Sequence, residues 1–209
     1  MRAFVEKSNR FLDMPLDVAP RALLLVALLL LLPSYLFPLY DMTMFAPQYS
    51  DGLRLHIYSY KLDGGNGGQD IKEINVLNHY IGMRDLDTAE FTEFKWIPFV
   101  VGALGLLFLR TAVLGKMAHL VDVLVLYLYF GAFSLWSFAY KMYWYGHHLA
   151  PTAAVKVAPF TPPLFGYEKL ANFEVYSYPD LGSYALASVA LVLVAAAWVA
   201  WRQSRPRSV

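Results

Sequence analysis

In the segment INVLNHYIGM an imidazole and a thioether, those of His79 and Met83, stand four residues apart. On a helix that spacing brings both to one face. In a chain without cysteine, imidazole plus thioether suits copper, with the thioether favouring Cu(I). Further donors of the same softness are His56, Met42 and Met44 in one long polar segment and His147 and His148 in another. His79, Met83, His56, His147, His148, Met42 and Met44 are therefore the candidate metal set. A plainer reading stays open beside it, in which His79 and Met83 pack within their own segment and Asn78 and His79 satisfy nearby backbone groups.

Other cofactor chemistry finds less to stand on. Without cysteine there is no thiolate metal site, iron–sulfur cluster or covalently attached haem. His119 has no second histidine at its own depth, so no bis-histidine haem is expected. GGNGG, residues 64–68, lacks the Lys-Ser/Thr that would follow in a phosphate-binding loop, so it reads as a turn and no nucleotide is expected. No nucleophile, triad or carboxylate pair emerges, so no catalytic residue is assigned and the chain is not expected to be an enzyme.

These donors must be positioned by a mostly apolar chain. Hydrophobic residues make up 58% of it and charged residues 16%, and the mean hydropathy is +0.42, outside the usual soluble range. Four stretches approach the roughly 20 apolar residues that a membrane-crossing helix needs. They are residues 22–40, 96–115, 120–140 and 181–201, with Pro33 and Pro38 expected to kink or end the first. The first shows no small-residue cleavage site after it and reads as a retained anchor. The fold class expected is an all-α membrane protein with four transmembrane helices and a small mixed cap formed by two loops, 41–95 and 141–180.

Orientation follows from the basic residues. Arg2, Lys7, Arg10 and Arg21 in the arm 1–21, Arg110 and Lys116 at the tight turn, and Arg202, Arg205 and Arg207 in the tail 202–209 fall on one side. The segment 41–95 has nine acidic residues against five basic, which suits translocation. Both termini are expected in the cytoplasm and both long loops outside. Asp122, just inside the third span, is expected to pair with Arg110 or Lys116. A net charge of +1 gives no reason to expect nucleic acid as a partner.

Within the first loop, LRLHIYSYKL (residues 53–62) alternates as a strand would. DIKEINVLNHYIGM spaces Ile71, Ile74, Leu77, Asn78 and Ile81 as a short helix would, with Asp70 as its cap and Glu73 in capping-box position. The second loop, rich in aromatics and prolines, is expected to pack on the first or to offer its tyrosines to a partner. Ile74, Leu77, Ile81, Phe165, Phe173 and Tyr176 are the side chains expected to be buried there.

Both loops carry a resemblance. MFAPQYSDGLRLHIY, DIKEINVLNHYIGM and PFTPPLFGYEKLANFEVYSYPDLGSY together resemble a family of small integral membrane proteins associated with bacterial nitrous oxide reductase gene clusters. The resemblance covers roughly half the chain. It implies the bacterial inner membrane and a non-enzymatic role in periplasmic copper handling or copper-enzyme maturation in denitrification, with copper as the metal. It carries over no ligand residues. The alternative is a metal-free accessory subunit of a membrane respiratory complex, such as a nitric oxide reductase or a quinol-linked electron-transfer assembly. The partners expected are the lipid bilayer and a copper enzyme, maturation factor or respiratory subunit.

The orientation is tested by fusion. A reporter joined after Val209 should be active only in the cytoplasm, and one inserted at Gly67 only outside. The opposite pattern would reverse the assignment of every loop.

Overall fold

The computed structural model describes residues 2–170 and 173–203. The tail residues Arg205 and Arg207 lie outside that range. Four helical segments are long and apolar enough to cross a membrane: Val18–Leu36, Glu93–Leu114, Met117–His147 and Leu181–Gln203. The expected fold class needs correction, because the chain is mostly helical but also holds a five-stranded antiparallel sheet. The elements in order are α1 (Arg2–Leu12), α2 (Val18–Leu30), α3 (Pro33–Leu36), β1 (Tyr40–Ala46), β2 (Tyr49–Ile57), β3 (Leu62–Gly64), α4 (Gly65–Ile81), α5 (Glu93–Leu114), α6 (Met117–His147), β4 (Gly166–Leu170), β5 (Phe173–Pro179) and α7 (Leu181–Gln203).

Two boundaries show why hydropathy misplaces helix ends. The first apolar stretch does not run to residue 40. Pro33 has no N–H to give, the backbone tightens at Leu31 and Leu32 into i→i+3 bonds, and after the short α3 the chain enters β1 at Tyr40. The third helix instead runs on to His147, because KMYWYGH contains no proline and helix formation does not stop where lipid-like composition does.

The chain divides into two compact units. The first comprises Met1–Pro33, Phe99–Ala132 and Ala185–Val209. Its interior is apolar, with Leu24, Phe108, Leu120, Val189 and Leu193 fully buried. Small residues allow close approach there, as helices packed in lipid require. A Cβ on Gly105 would stand 3.1 Å from Leu28 Cδ1. Tyr127, against Phe108 at 5.9 Å between ring centroids, donates its hydroxyl to the Leu186 carbonyl at 2.7 Å. Asp122 is exposed, and among the described residues it forms no ion pair with Arg110 or Lys116, contrary to expectation.

The second unit, Ser34–Pro98 and Phe133–Tyr184, contains the sheet, in strand order β3-β2-β1-β5-β4. β1 lies in the middle, so Met42 faces Leu55 on one side and Ser177 on the other. Because side chains alternate across a strand, Tyr40, Met42, Leu53, Leu55 and Val175 share one face. They form a buried cluster with Ile74 of α4, against which Phe138 and Met142 of α6 pack. The apolar spacing in α4 thus meets its partner as expected, and full burial of Ile74 contributes roughly 1.5–3 kcal/mol.

Both ends of α4 depart from the sequence reading. GGNGG is no hairpin turn. Asn66, Gly67 and Gly68 have φ values of 51°, 65° and 88°, a left-handed lead-in from β3 to the helix that glycine makes inexpensive. Asp70 does not cap its own helix. Buried at 3% exposure, it accepts the backbone N–H of Arg54 in β2 at 2.9 Å and the Asn66 amide at 2.7 Å, tying the helix to the sheet. Glu73 closes no capping box either. It accepts from the Tyr49 hydroxyl and from Gln69, and those hydrogen bonds, the first above all, hold its carboxyl below the usual range.

At the other end Gly82, with φ 80°, donates to the His79 carbonyl at 3.2 Å while Met83 donates to that of Asn78 at 2.9 Å, the paired bonds of a Schellman cap. A Cβ at Gly82 would come within 2.8 Å of Ala153 Cβ. The second loop is fastened there, since Ala150 donates to the Gly82 carbonyl and Val155 to that of Tyr80.

Replacing Asp70 with alanine removes the buried acceptor of the part-buried Arg54 N–H bond and should destabilise the protein by about 1–3 kcal/mol. Thermal unfolding of the detergent-solubilised variant measures this. An unchanged midpoint would show that Asp70 does not hold α4 to β2.

Candidate functional site

The seven candidate ligands do not form one cluster. Met42 is 5% exposed in the sheet core, and Met44 packs against the same cluster. His79 is exposed on α4. Met83 lies beyond the helix end, in the Schellman cap, so the shared helical face expected for His79 and Met83 does not exist. The reason is Gly82, whose left-handed backbone turns the chain out of the helix before Met83. Asn78, by contrast, does satisfy backbone, its amide reaching the Arg84 carbonyl at 3.4 Å.

His147 and His148, at the end of α6, stack on Tyr143 and Trp144 with ring centroids 3.9 and 4.7 Å apart. Each donates Nδ1–H to the carbonyl four residues back, within 3.0 Å, which leaves the Nε2 lone pair to face a ligand. Consecutive residues on a helix diverge by about 100°, so the two imidazoles do not form a chelate. Among the described residues no group of three or more His, Asp or Glu side chains is arranged to hold a metal ion.

His56 belongs to a different arrangement. Cross-strand register sets Asp63, His56, Asp41 and Tyr178 in one row on the sheet face opposite the core. His56 Nδ1 and Asp41 Oδ1 are 3.3 Å apart, without the alignment of a hydrogen bond. Asp63 turns to Lys61.

The next rows on that face are aromatic. Tyr176 of β5 is met edge-on by Phe45 of β1 at 5.7 Å between centroids, and Tyr167 of β4 lies tilted against it at 4.9 Å. Phe165 meets Tyr178 edge-on at 5.3 Å. Partial desolvation, then the Glu174 carboxylate, raises the Tyr176 phenol above its ordinary range. Phe165, expected to be buried, is 69% exposed, and Tyr167 and Tyr178 are exposed too. No strand is assigned to this loop from the sequence, so the ladder is missed there. Its signal was the alternation in FEVYSYP, which puts Val175 and Ser177 on one face and Tyr176 and Tyr178 on the other.

The second unit also has a shallow cavity of about 210 Å³, lined by Arg84, Glu90, Tyr140, Lys141, Trp144 and Tyr145. Its charges are already engaged. Arg84 lies 3.6 Å from Glu90 and over the Trp144 ring, and Lys141 lies 3.7 Å from Glu93.

Four helices able to cross a membrane, together with a sheet that exposes an aromatic face, define the class of molecule this is. No protein-family model, curated protein or solved structure matches the chain.

The edge-on contact between Phe45 and Tyr176 is testable by itself. A double-mutant cycle with Phe45→Leu and Tyr176→Leu should give a coupling of about 0.5–1.5 kcal/mol in thermal unfolding. Strict additivity would show that the two rings do not interact.

Proposed function

We propose that the protein is a non-enzymatic membrane accessory factor that uses the aromatic face of its sheet to dock a protein of copper-enzyme maturation or respiratory assembly in denitrification. The observation that carries this reading is the ladder of Phe45, Tyr176, Tyr167, Phe165 and Tyr178, opposite a fully formed core. Aromatic side chains dominate interface centres because they bury a large area at little entropic cost. The process is the one implied by the resemblance in both loops. Docking requires no metal in this chain.

A second reading, in which this chain also contributes a copper ligand, is favoured by the orientation of His147 and His148. Nδ1 engagement by backbone is the arrangement that presents Nε2 to a metal. Since the two rings diverge, such a ligand would complete a site whose other donors belong to the partner.

Co-purification from native membranes tests the first reading. Wild type should retain a copper enzyme, its maturation factor or a respiratory subunit in stoichiometric amount. Phe165→Ser/Tyr167→Ser should lose at least ten-fold of it while unfolding at the wild-type temperature. Equal retention by the double variant overturns the docking face. In copper titration under reducing conditions, His79→Ala and Met83→Leu should behave as wild type. A loss in either would restore the pair as ligands.

A further inference from the structure

The N-terminal helix α1 has a sequence, RAFVEKSNRFL, that segregates at helical period. At 100° per residue Phe4, Ser8, Phe11 and Leu12 fall on one arc, and Glu6, Asn9 and Arg10 on the other. The surroundings agree where side chains are described: Ser8, Phe11 and Leu12 are half-buried, and Glu6, Asn9 and Arg10 are exposed. With 11 residues the helix is too short to persist alone in water, where isolated helices under about 12–15 residues are marginal. Something must cover its apolar arc.

The chain just after α1 fixes the level at which it lies. Leu16 donates its N–H to the Gly115 carbonyl at 2.7 Å, Met117 donates to the Met14 carbonyl at 2.9 Å, and Pro15 pairs with Lys116 as an isolated antiparallel bridge. Gly115 and Lys116 form the tight turn between two helices able to cross a membrane, α5 and α6, so that turn belongs at a membrane surface. Arg21 reinforces the junction, donating Nε–H to the Leu16 carbonyl at 2.9 Å. α1 is thereby tethered by its C-terminus at headgroup level, and its sequence carries Arg2, Lys7 and Arg10 against the single acid Glu6.

We infer that α1 lies in the membrane interface as an amphipathic helix, its Phe11/Leu12 arc in the acyl boundary and Arg10 on anionic lipid headgroups. Apolar burial holds such a helix down, and each Lys or Arg near an anionic surface adds attraction that neutral lipid does not supply. The bilayer that receives α2 is the occupant, since α2 begins only six residues beyond Leu12.

The native chain has no cysteine, so single labels are unambiguous. Full-length Ser8→Cys and Asn9→Cys proteins, each carrying an environment-sensitive fluorophore, are reconstituted in nanodiscs of zwitterionic lipid with or without about one third anionic lipid, a range in which surface potential is substantial. In anionic discs the label at position 8 should be quenched by a lipid-borne doxyl group and shielded from iodide, and the label at position 9 should show the reverse. Lipid quenching at position 8 should fall at least two-fold in zwitterionic discs, and likewise when Arg10→Glu is added in anionic discs. Equal iodide quenching at positions 8 and 9 overturns the interfacial helix. Protection of position 8 without lipid quenching overturns it too, since the arc would then be covered by protein. Equal lipid quenching in both disc types overturns the anionic headgroup contact.

Discussion

The pairing of β1 with β5 is the constraint on which the second unit depends. It joins residues 40–45 to residues 174–179 through an antiparallel ladder and puts β1 in the centre of the sheet. Without it the first loop would keep only the strands β3-β2-β1 and the second only the β4-β5 hairpin, and an isolated hairpin is marginal in water. With it, Met42, Leu55 and Val175 make one continuous apolar surface that Ile74 of α4 covers. The same ladder dictates the far face, because every residue placed inward sends its neighbour outward. Tyr176 and Tyr178 are displayed because Val175 and Ser177 are buried.

That logic decides between packing and ligation for the sulfur and imidazole groups. A methionine in DMTMF satisfies the inward positions of a strand as well as it would satisfy a soft metal, and burial in the sheet core takes Met42. His56 falls on the outward face between Asp41 and Asp63, a neighbourhood of charge that no soft donor shares. His147 and His148 satisfy Nδ1 locally and stack on the aromatic side chains one turn back. Among the described residues these side chains do not converge on a chelate.

Within the first unit a different economy holds. Four spans place apolar side chains everywhere, so specificity comes from small residues such as Gly105 and from polar ties such as the Tyr127 hydroxyl on the Leu186 carbonyl. The backbone bridge at Pro15 and Lys116 extends this order to the segment before the first span. Glycine at 115 suits the turn because its φ of 61° lies in the left-handed region, and the Arg21 guanidinium occupies the space where a Cβ would stand.

By itself the sequence determined the features that depend on neighbours along the chain. Runs such as ALLLVALLLLL located the four helices apolar enough to cross a membrane, though not the end of the first at Leu36 or of the third at His147, and the three-to-four-residue spacing of Ile71, Ile74 and Leu77 located α4 and its buried face. Only the tertiary structure decided what depends on partners far away. Asp70 has the position of a cap, yet the backbone of Arg54 claims it. His79 and Met83 have ligand spacing, yet Gly82 ends the helix between them. β5 alternates clearly, yet a strand has no meaning until β1, more than a hundred residues earlier, lies beside it. Hydropathy and helical period are local sums over side chains. Strand pairing, hydrogen-bond acceptors and metal geometry are set by which distant groups compete for the same atom.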